Sequence, residues 1–271
     1  MARLEMTFSG LAARGEKALV AYVTVGDPDL ETSYEVVSAL CEGGADVLEL
    51  GVPFSDPTAD GPTIQRSSQR ALAAGTTVAG ILEVVKRLRA AGREQAVILF
   101  GYFNPFLQYG LERLARDARA AGVDGFLVVD LPPEEAGPFQ RALAAEGLSM
   151  ISLLTPTSDA GRVEAVKRIA GGFVYYVSRT GVTGAKVEGL GGVNAHVAAL
   201  QAAIPLPVCV GFGISEPAQV AELGGQADGV VVGSAIVSMV ERLGRGEATL
   251  SEIEAFTRSL KAPLVSQASP A

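Results

Sequence analysis

Eight short apolar runs, separated by longer segments with helical patterning, limit what this chain can become. The runs are ALVAYVTV (18–25), DVLELGV (46–52), AVILFGY (96–102), GFLVVDL (125–131), SMISLLT (149–155), GFVYYVS (172–178), PVCVGFG (207–213) and GVVVGSA (229–235). Each is nearly unbroken in apolar residues, as parallel strands covered on both faces are. The intervening LETSYEVVSALCEGG places Tyr34, Val37, Leu40 and Cys41 on one stripe and stops at Gly43–Gly44. GILEVVKRLRAAG (80–92) and LERLARDARAAG (111–122) follow the same rule, each ending in glycine. Eightfold β-α alternation predicts an α/β protein built as a closed (β/α)8 barrel, a TIM barrel. An open doubly wound sheet is the alternative, disfavoured because VTVGDP rather than GxGxxG follows the first run.

The segment MARLEMTFSGLAARGE is expected to add an N-terminal helix that plugs the barrel floor. The 271 residues carry no linker-like or low-complexity tract, which predicts one domain, with residues 263–271 as a frayed tail. Net charge is −8 without a Lys/Arg cluster, which argues against nucleic acid as a partner. Two distant cysteines, Cys41 and Cys209, suit a reducing cytoplasm, and no apolar run reaches the ~18 residues of a membrane span.

In such a barrel the chemistry gathers at the C-terminal ends of the strands. Those positions carry Asp27, Glu49, Asp56, Asp60, Tyr102, Asn104 and Asp130. Glu49 lies between Leu48 and Leu50. A carboxylate in such a strand is desolvated, and its pKa rises toward the range useful for acid–base work. The competing reading is a salt-bridged structural acid. Asp60 sits in a loop stiffened by Pro53, Pro57 and Pro62. Three glycine-rich loops, SRTGVTGAK, GFGISEP and GSA, follow the last three strands. Bare N–H groups at such turns and helix starts cradle phosphate, so Gly184, Gly211, Gly213, Gly233 and Ser234 are candidate phosphate ligands.

No lysine falls on a predicted strand end; Lys186 alone is near the open face. His196, the only histidine, falls in a predicted helix as a packing or surface residue, which removes a histidine-built zinc site and a Ser–His pair. Carboxylate acid–base chemistry, with no metal and no cofactor, remains.

ELGVPFSDPTADGPTIQ, with GYFNP, DLPPEE, SLLTPTS, SRTGVTGA, GFGIS and GVVVGSA, resembles the alpha subunit of tryptophan synthase over most of the chain. The resemblance implies a lyase that cleaves indole-3-glycerol phosphate to indole and glyceraldehyde 3-phosphate. It makes Glu49 the acid/base and Asp60 the acid that holds the indole N–H. It assigns Tyr175 to the active site and Thr183 to a loop that closes over Asp60. Gly184, Gly213, Gly233 and Ser234 match the phosphate cradle, and Tyr22, Phe100, Leu127 and Phe212 the indole pocket. Tyr22 and Phe100 stand where the family has phenylalanine and leucine. The resemblance also implies an alpha2-beta2 complex with a beta subunit that carries pyridoxal phosphate. Contacts would come from Pro53–Pro62, Asn104–Leu107 and Asp130–Pro133.

Three other readings stay open on sequence alone. A phosphosugar isomerase would share the phosphate loops, but SLLTPTS offers no acid at the end of strand 5. A catalytically dead activator subunit fits poorly with an intact Glu49 and Asp60. A free-standing indole-releasing lyase would need no partner.

Overall fold

A computed structural model describes residues 2–177, 190–211 and 213–265. Its first half runs α1 (Arg3–Ala13), β1 (Ala18–Thr24), α2 (Leu30–Glu42), β2 (Val47–Gly51), α3 (Pro62–Ala73), α4 (Val78–Ala90), β3 (Ala96–Gly101), α5 (Phe103–Tyr109), α6 (Leu111–Ala121) and β4 (Gly125–Val128). The second half runs α7 (Gly137–Ala145), β5 (Ser149–Leu154), α8 (Ala160–Ile169), β6 (Val174–Val177), α9 (Leu190–Ala203), β7 (Val208–Gly211), α10 (Pro217–Gly224), β8 (Gly229–Val232), α11 (Ser234–Gly244) and α12 (Leu250–Lys261). The strands pair in parallel, each with the next, and β8 closes on β1. The open sheet is thereby ruled out.

All seven residues of β1 are buried because the two faces serve two cores. Leu19, Ala21 and Val23 pack outward against the helices, while Ala18 and Val20 fill the barrel with Val47, Ile98 and Ile151. The expected plug is α1. Its Leu4, Phe8 and Leu11 join the interior cluster, and the rings of Phe8 and Phe173 stand 5.5 Å apart. Arg3 Nη1 donates to Asp124 Oδ1 at 2.6 Å, and Asp124 in turn accepts from the Val97 N–H and Arg89. This floor network reads as stability rather than chemistry.

Helix starts follow local chemistry. Asp29, Thr77, Asp159 and Thr249 each accept a backbone N–H at the head of α2, α4, α8 and α12. Gly122 ends α6 in the left-handed region, at φ +93°.

Four differences from the sequence expectation stand out. Strands β4, β6, β7 and β8 are shorter than the apolar runs. The run 125–131, for example, leaves the strand after Val128: the Val129 N–H still donates to the Gly101 carbonyl at 3.0 Å, and the backbone then turns at Val129–Asp130 toward Pro132–Pro133. Helix α3 follows directly on the proline-braced loop, in a stretch to which the sequence pattern assigns no element, with Pro62 at its first position. Helix α5 covers Phe103–Tyr109, with Pro105 in the first turn, where it displaces no hydrogen bond. Pro263 and Leu264, expected to fray, instead form a 3-10 turn. Leu264 is 3% exposed, packs on Gly224 and accepts the Lys17 N–H at 2.9 Å. Residues 266–271 lie outside the described residues. No helix among the described residues is long and apolar enough to cross a membrane.

Candidate active site

Pairing register brings the first group of side chains together. Tyr22 of β1 lies opposite Glu49 of β2, which lies opposite Ile98 of β3. The period of two then turns Glu49 inward with Val47. Two steps along β3, the Phe100 ring meets the Tyr22 ring edge-on at 5.1 Å. Room for these rings comes from missing side chains. A Cβ on Gly51 would lie 2.4 Å from Tyr22 Oη, and one on Gly211 2.4 Å from Tyr175 Oη.

These groups line a cavity of about 250 Å³ at the C-terminal end of the barrel. Glu49, Asp60, Tyr22, Phe100, Tyr175, Gly213, Gly233 and Ser234 all reach it. Leu127 does not line it. It is fully buried one step below, level with Phe100 in the ladder, and Val129 takes the cavity position. Thr183, Gly184, Phe212 and Lys186 lie outside the described residues.

Of the candidate acids at the open face, Asp27 alone has a cation among the described residues, and Glu49 and Asp60 are the two that are buried without one. Asp27 accepts two hydrogen bonds from Arg70, each 2.7 Å. Asp56 is exposed and accepts from Ser55. Asp130 accepts the Phe103 N–H at the head of α5, at 2.7 Å. Glu49 is 1% exposed, and its Oε1 has no hydrogen-bond partner among the described residues. Burial pushes its carboxyl up to about 8. This is the opposite of a salt-bridged structural acid. Asp60 is 8% exposed, and its Oδ2 accepts from the Tyr102 hydroxyl at 3.1 Å. Burial pushes Asp60 up to about 6, with the Tyr102 hydrogen bond pulling the other way. Tyr22 and Tyr175 are driven well above the ordinary tyrosine range by burial, so both are neutral hydroxyls.

The phosphate candidates sit across the same cavity. Gly233 precedes α11 and Ser234 is its first residue. First-turn N–H groups lack partners within the helix, and the helix dipole adds positive potential there. Gly213 adopts φ +73°, a conformation that other residues resist.

Several cavity residues escaped the sequence reading. Val129, Leu153 and Val177 line it. Each lies two positions beyond an inward residue, Leu127, Ile151 or Tyr175, so counting by two would have found them. Ile64 was missed because α3 was not foreseen. Tyr102 was read at its strand end, but its contact with Asp60 was not. Its hydroxyl also accepts the Ala59 N–H at 2.9 Å, and its ring lies 5.1 Å from Phe54.

His196 is a packing residue, as expected. Its Nδ1 is 3.0 Å from the Gly192 carbonyl, and its ring stacks on Tyr176 at 5.9 Å. Cys41 and Cys209 are both free and buried.

Comparison with known proteins adds an independent line. The family model described as tryptophan synthase alpha chain matches residues 8–264. The tryptophan synthase alpha chain of Geobacter sulfurreducens is 54% identical over 261 residues, covering 96% of this chain and 98% of that protein. The corresponding chain of Burkholderia pseudomallei is 47% identical over all of both chains. The crystal structure of tryptophan synthase subunit alpha from Legionella pneumophila superposes with a TM-score of 0.91 at 38% identity, covering 97% of this chain and 98% of that one. A chain of the Mycobacterium tuberculosis tryptophan synthase structure gives 0.89 at 36% identity, covering 98% and 99%.

Proposed function

The chain belongs to the tryptophan synthase alpha chain family, and from that premise we propose how its residues perform the reaction. It is an indole-3-glycerol-phosphate lyase. One observation carries the mechanism. Two buried carboxylates without a cation share one largely apolar cavity, and their acidities are about two units apart.

Glu49 is mainly protonated at neutral pH and gives its proton to C3 of the indole ring. Asp60 is mainly ionised, accepts the ring N–H and stabilises the positive charge that develops there. Glu49, now a carboxylate, takes the proton of the glycerol hydroxyl next to the ring as the carbon–carbon bond breaks. The bonding pair returns to the ring, leaving indole and the aldehyde of glyceraldehyde 3-phosphate. Gly213, Gly233 and Ser234, with Gly184, hold the phosphate. Tyr22, Phe100 and Tyr175 enclose the ring, with Phe212; Leu127 supports this wall from below. Thr183, outside the described residues, keeps the substrate-binding role that the resemblance implies for it.

We also propose the beta subunit as partner, in an alpha2-beta2 complex. The proposed contact segments are chemically joined. Tyr102 ties the loop Pro53–Pro62 to the end of β3, and Asp130 ties the loop after β4 to Phe103 at the head of α5, next to the segment Asn104–Leu107. Leu107 is 47% exposed on that face. A partner pressing on the loop Pro53–Pro62 reaches Asp60 directly, and one pressing on α5 reaches it through the Tyr102 phenol at the head of that helix. The free cysteines suit a cytoplasmic setting.

The direct test is indole release by the purified chain, alone and with a beta subunit. Slow release that rises sharply with the partner is expected. Fast release alone would mark a free-standing lyase, and no release in either case would refute the substrate.

Tyr102→Phe tests the wiring of Asp60. Removing a bond that favours the carboxylate should raise the Asp60 pKa, so the rising acid limb of kcat/KM should move up by about one pH unit. An unmoved limb would detach Tyr102 from the chemistry.

A further inference from the structure

Above the Tyr22 ring lies a buried polar chain that the chemistry does not use. Thr24, the last residue of β1, shares the inward side with Tyr22 and is 1% exposed. Its Oγ1 lies 2.6 Å from Oγ of Ser67, a fully buried residue of α3. Ser67 Oγ donates to the Ile64 carbonyl at 2.8 Å. A carbonyl only accepts, so the single Ser67 proton is committed to it. Ser67 then accepts from Thr24, and Thr24 accepts from the Tyr22 hydroxyl, at 3.4 Å a long and weak link. The chain therefore has one direction: Tyr22 to Thr24 to Ser67 to Ile64.

Both ends of this chain, Tyr22 and Ile64, are walls of the cavity; Thr24 and Ser67 do not line it. Helix α3 starts at Pro62, two residues after Asp60. Arg70, one turn beyond Ser67 on the same face, binds Asp27 just after β1. Helix α3 is thus fastened to the end of β1 by a hydroxyl pair and an ion pair.

We propose that Ser67 is a positioning residue. Acting through Thr24, it seats α3 on β1 and so sets the gap between the Tyr22 and Ile64 walls that grip the flat ring of the substrate. The inference rests on reading the cavity as the indole site. Replacing either hydroxyl strands the other in a dry place, and the helix must shift for it to find a new partner.

The test compares substitutions that separate shape from hydrogen bonding. Thr24→Val keeps the volume and loses the hydroxyl; Thr24→Ser does the reverse. Cleavage kinetics, calorimetric affinity for indole and thermal unfolding are measured on each variant, with Ser67→Ala and the Thr24→Val/Ser67→Ala double variant. Thr24→Val and Ser67→Ala should each weaken indole binding and raise KM about tenfold, with a smaller change in kcat. Thr24→Ser should lose less than Thr24→Val. The double variant should be no worse than either single one, because both cut the same chain. Tyr22→Phe, cutting the weak link, should show the smallest effect.

A larger loss in Thr24→Ser than in Thr24→Val would reduce the chain to packing and overturn the proposal, as would additive losses in the double variant. Should Thr24→Val fail to fold, Ser67→Ala against Thr24→Ser decides the same question. Wild-type protein that binds indole without cleaving the substrate would count against the lyase mechanism alone. Ser67→Ala that binds indole as tightly as wild type would overturn the positioning role.

Discussion

Glu49→Gln should lower indole release by on the order of a thousandfold while making the protein harder to unfold at neutral and alkaline pH. The first effect follows from the role: glutamine is nearly isosteric but cannot give or take the proton. The second follows from burial. The folded-state carboxyl titrates near 8, against an ordinary value of 4.5. Between those values the folded chain holds a proton that the unfolded chain has released. Wild-type stability therefore falls as pH rises through that window, by at most about 1.4 kcal/mol per pH unit. Glutamine does not ionise and escapes this loss. The variant's advantage is absent below about pH 4.5, grows through the window and levels off above about 8. Denaturant unfolding at several pH values, alongside indole release, measures both. A salt-bridged structural acid would behave oppositely, since its replacement would strand a buried cation. Near-normal turnover, or a stability difference that does not change with pH, would sink the assignment.

The reason Glu49 could be found in the sequence is local. An acid between two leucines in a strand covered on both faces has no solvent to turn to, and its inward side follows from the period of two. Asp60 was legible from the prolines around it. Asp27 was not separable from these two, because the residue that neutralises it, Arg70, lies 43 positions away on a helix that the sequence pattern does not assign. Helix α3 escaped notice because its exposed face is polar and its buried face small, with Ser67, Ser68 and Ala71 inside. No apolar stripe announces such a helix. The plug α1 was legible for the converse reason, since Leu4, Phe8 and Leu11 repeat at helical spacing. Ends of strands were overextended because an apolar run continues into the loops that roof the cavity, as at Val129. Hydropathy records burial there, whereas the strand stops where the backbone turns, at Val129–Asp130. What pairs across the site, Tyr102 with Asp60 and Thr24 with Ser67, depends on register and loop path.

Asp60→Asn should cost on the order of a hundredfold in kcat/KM and also change the shape of the pH profile. Asparagine keeps an oxygen that accepts the indole N–H, so positioning largely survives. What disappears is the negative charge that offsets the cationic ring in the transition state, in a cavity where water cannot screen it. In the wild type, activity requires Asp60 ionised and Glu49 protonated. The kcat/KM profile should therefore be a bell, rising near 6 and falling near 8. In Asp60→Asn the rising limb should vanish while the falling limb near 8 stays, because Glu49 is untouched. In Glu49→Gln the residual activity should show the reverse, a rising limb without the fall. Tyr102→Phe keeps both limbs and moves only the first. These three shapes discriminate between two carboxylates with separate duties and a coupled pair sharing one proton, for which removing either partner would shift the other's limb. An Asp60→Asn profile that keeps its rise near 6 would transfer that titration to another group and leave Asp60 with a positioning role only.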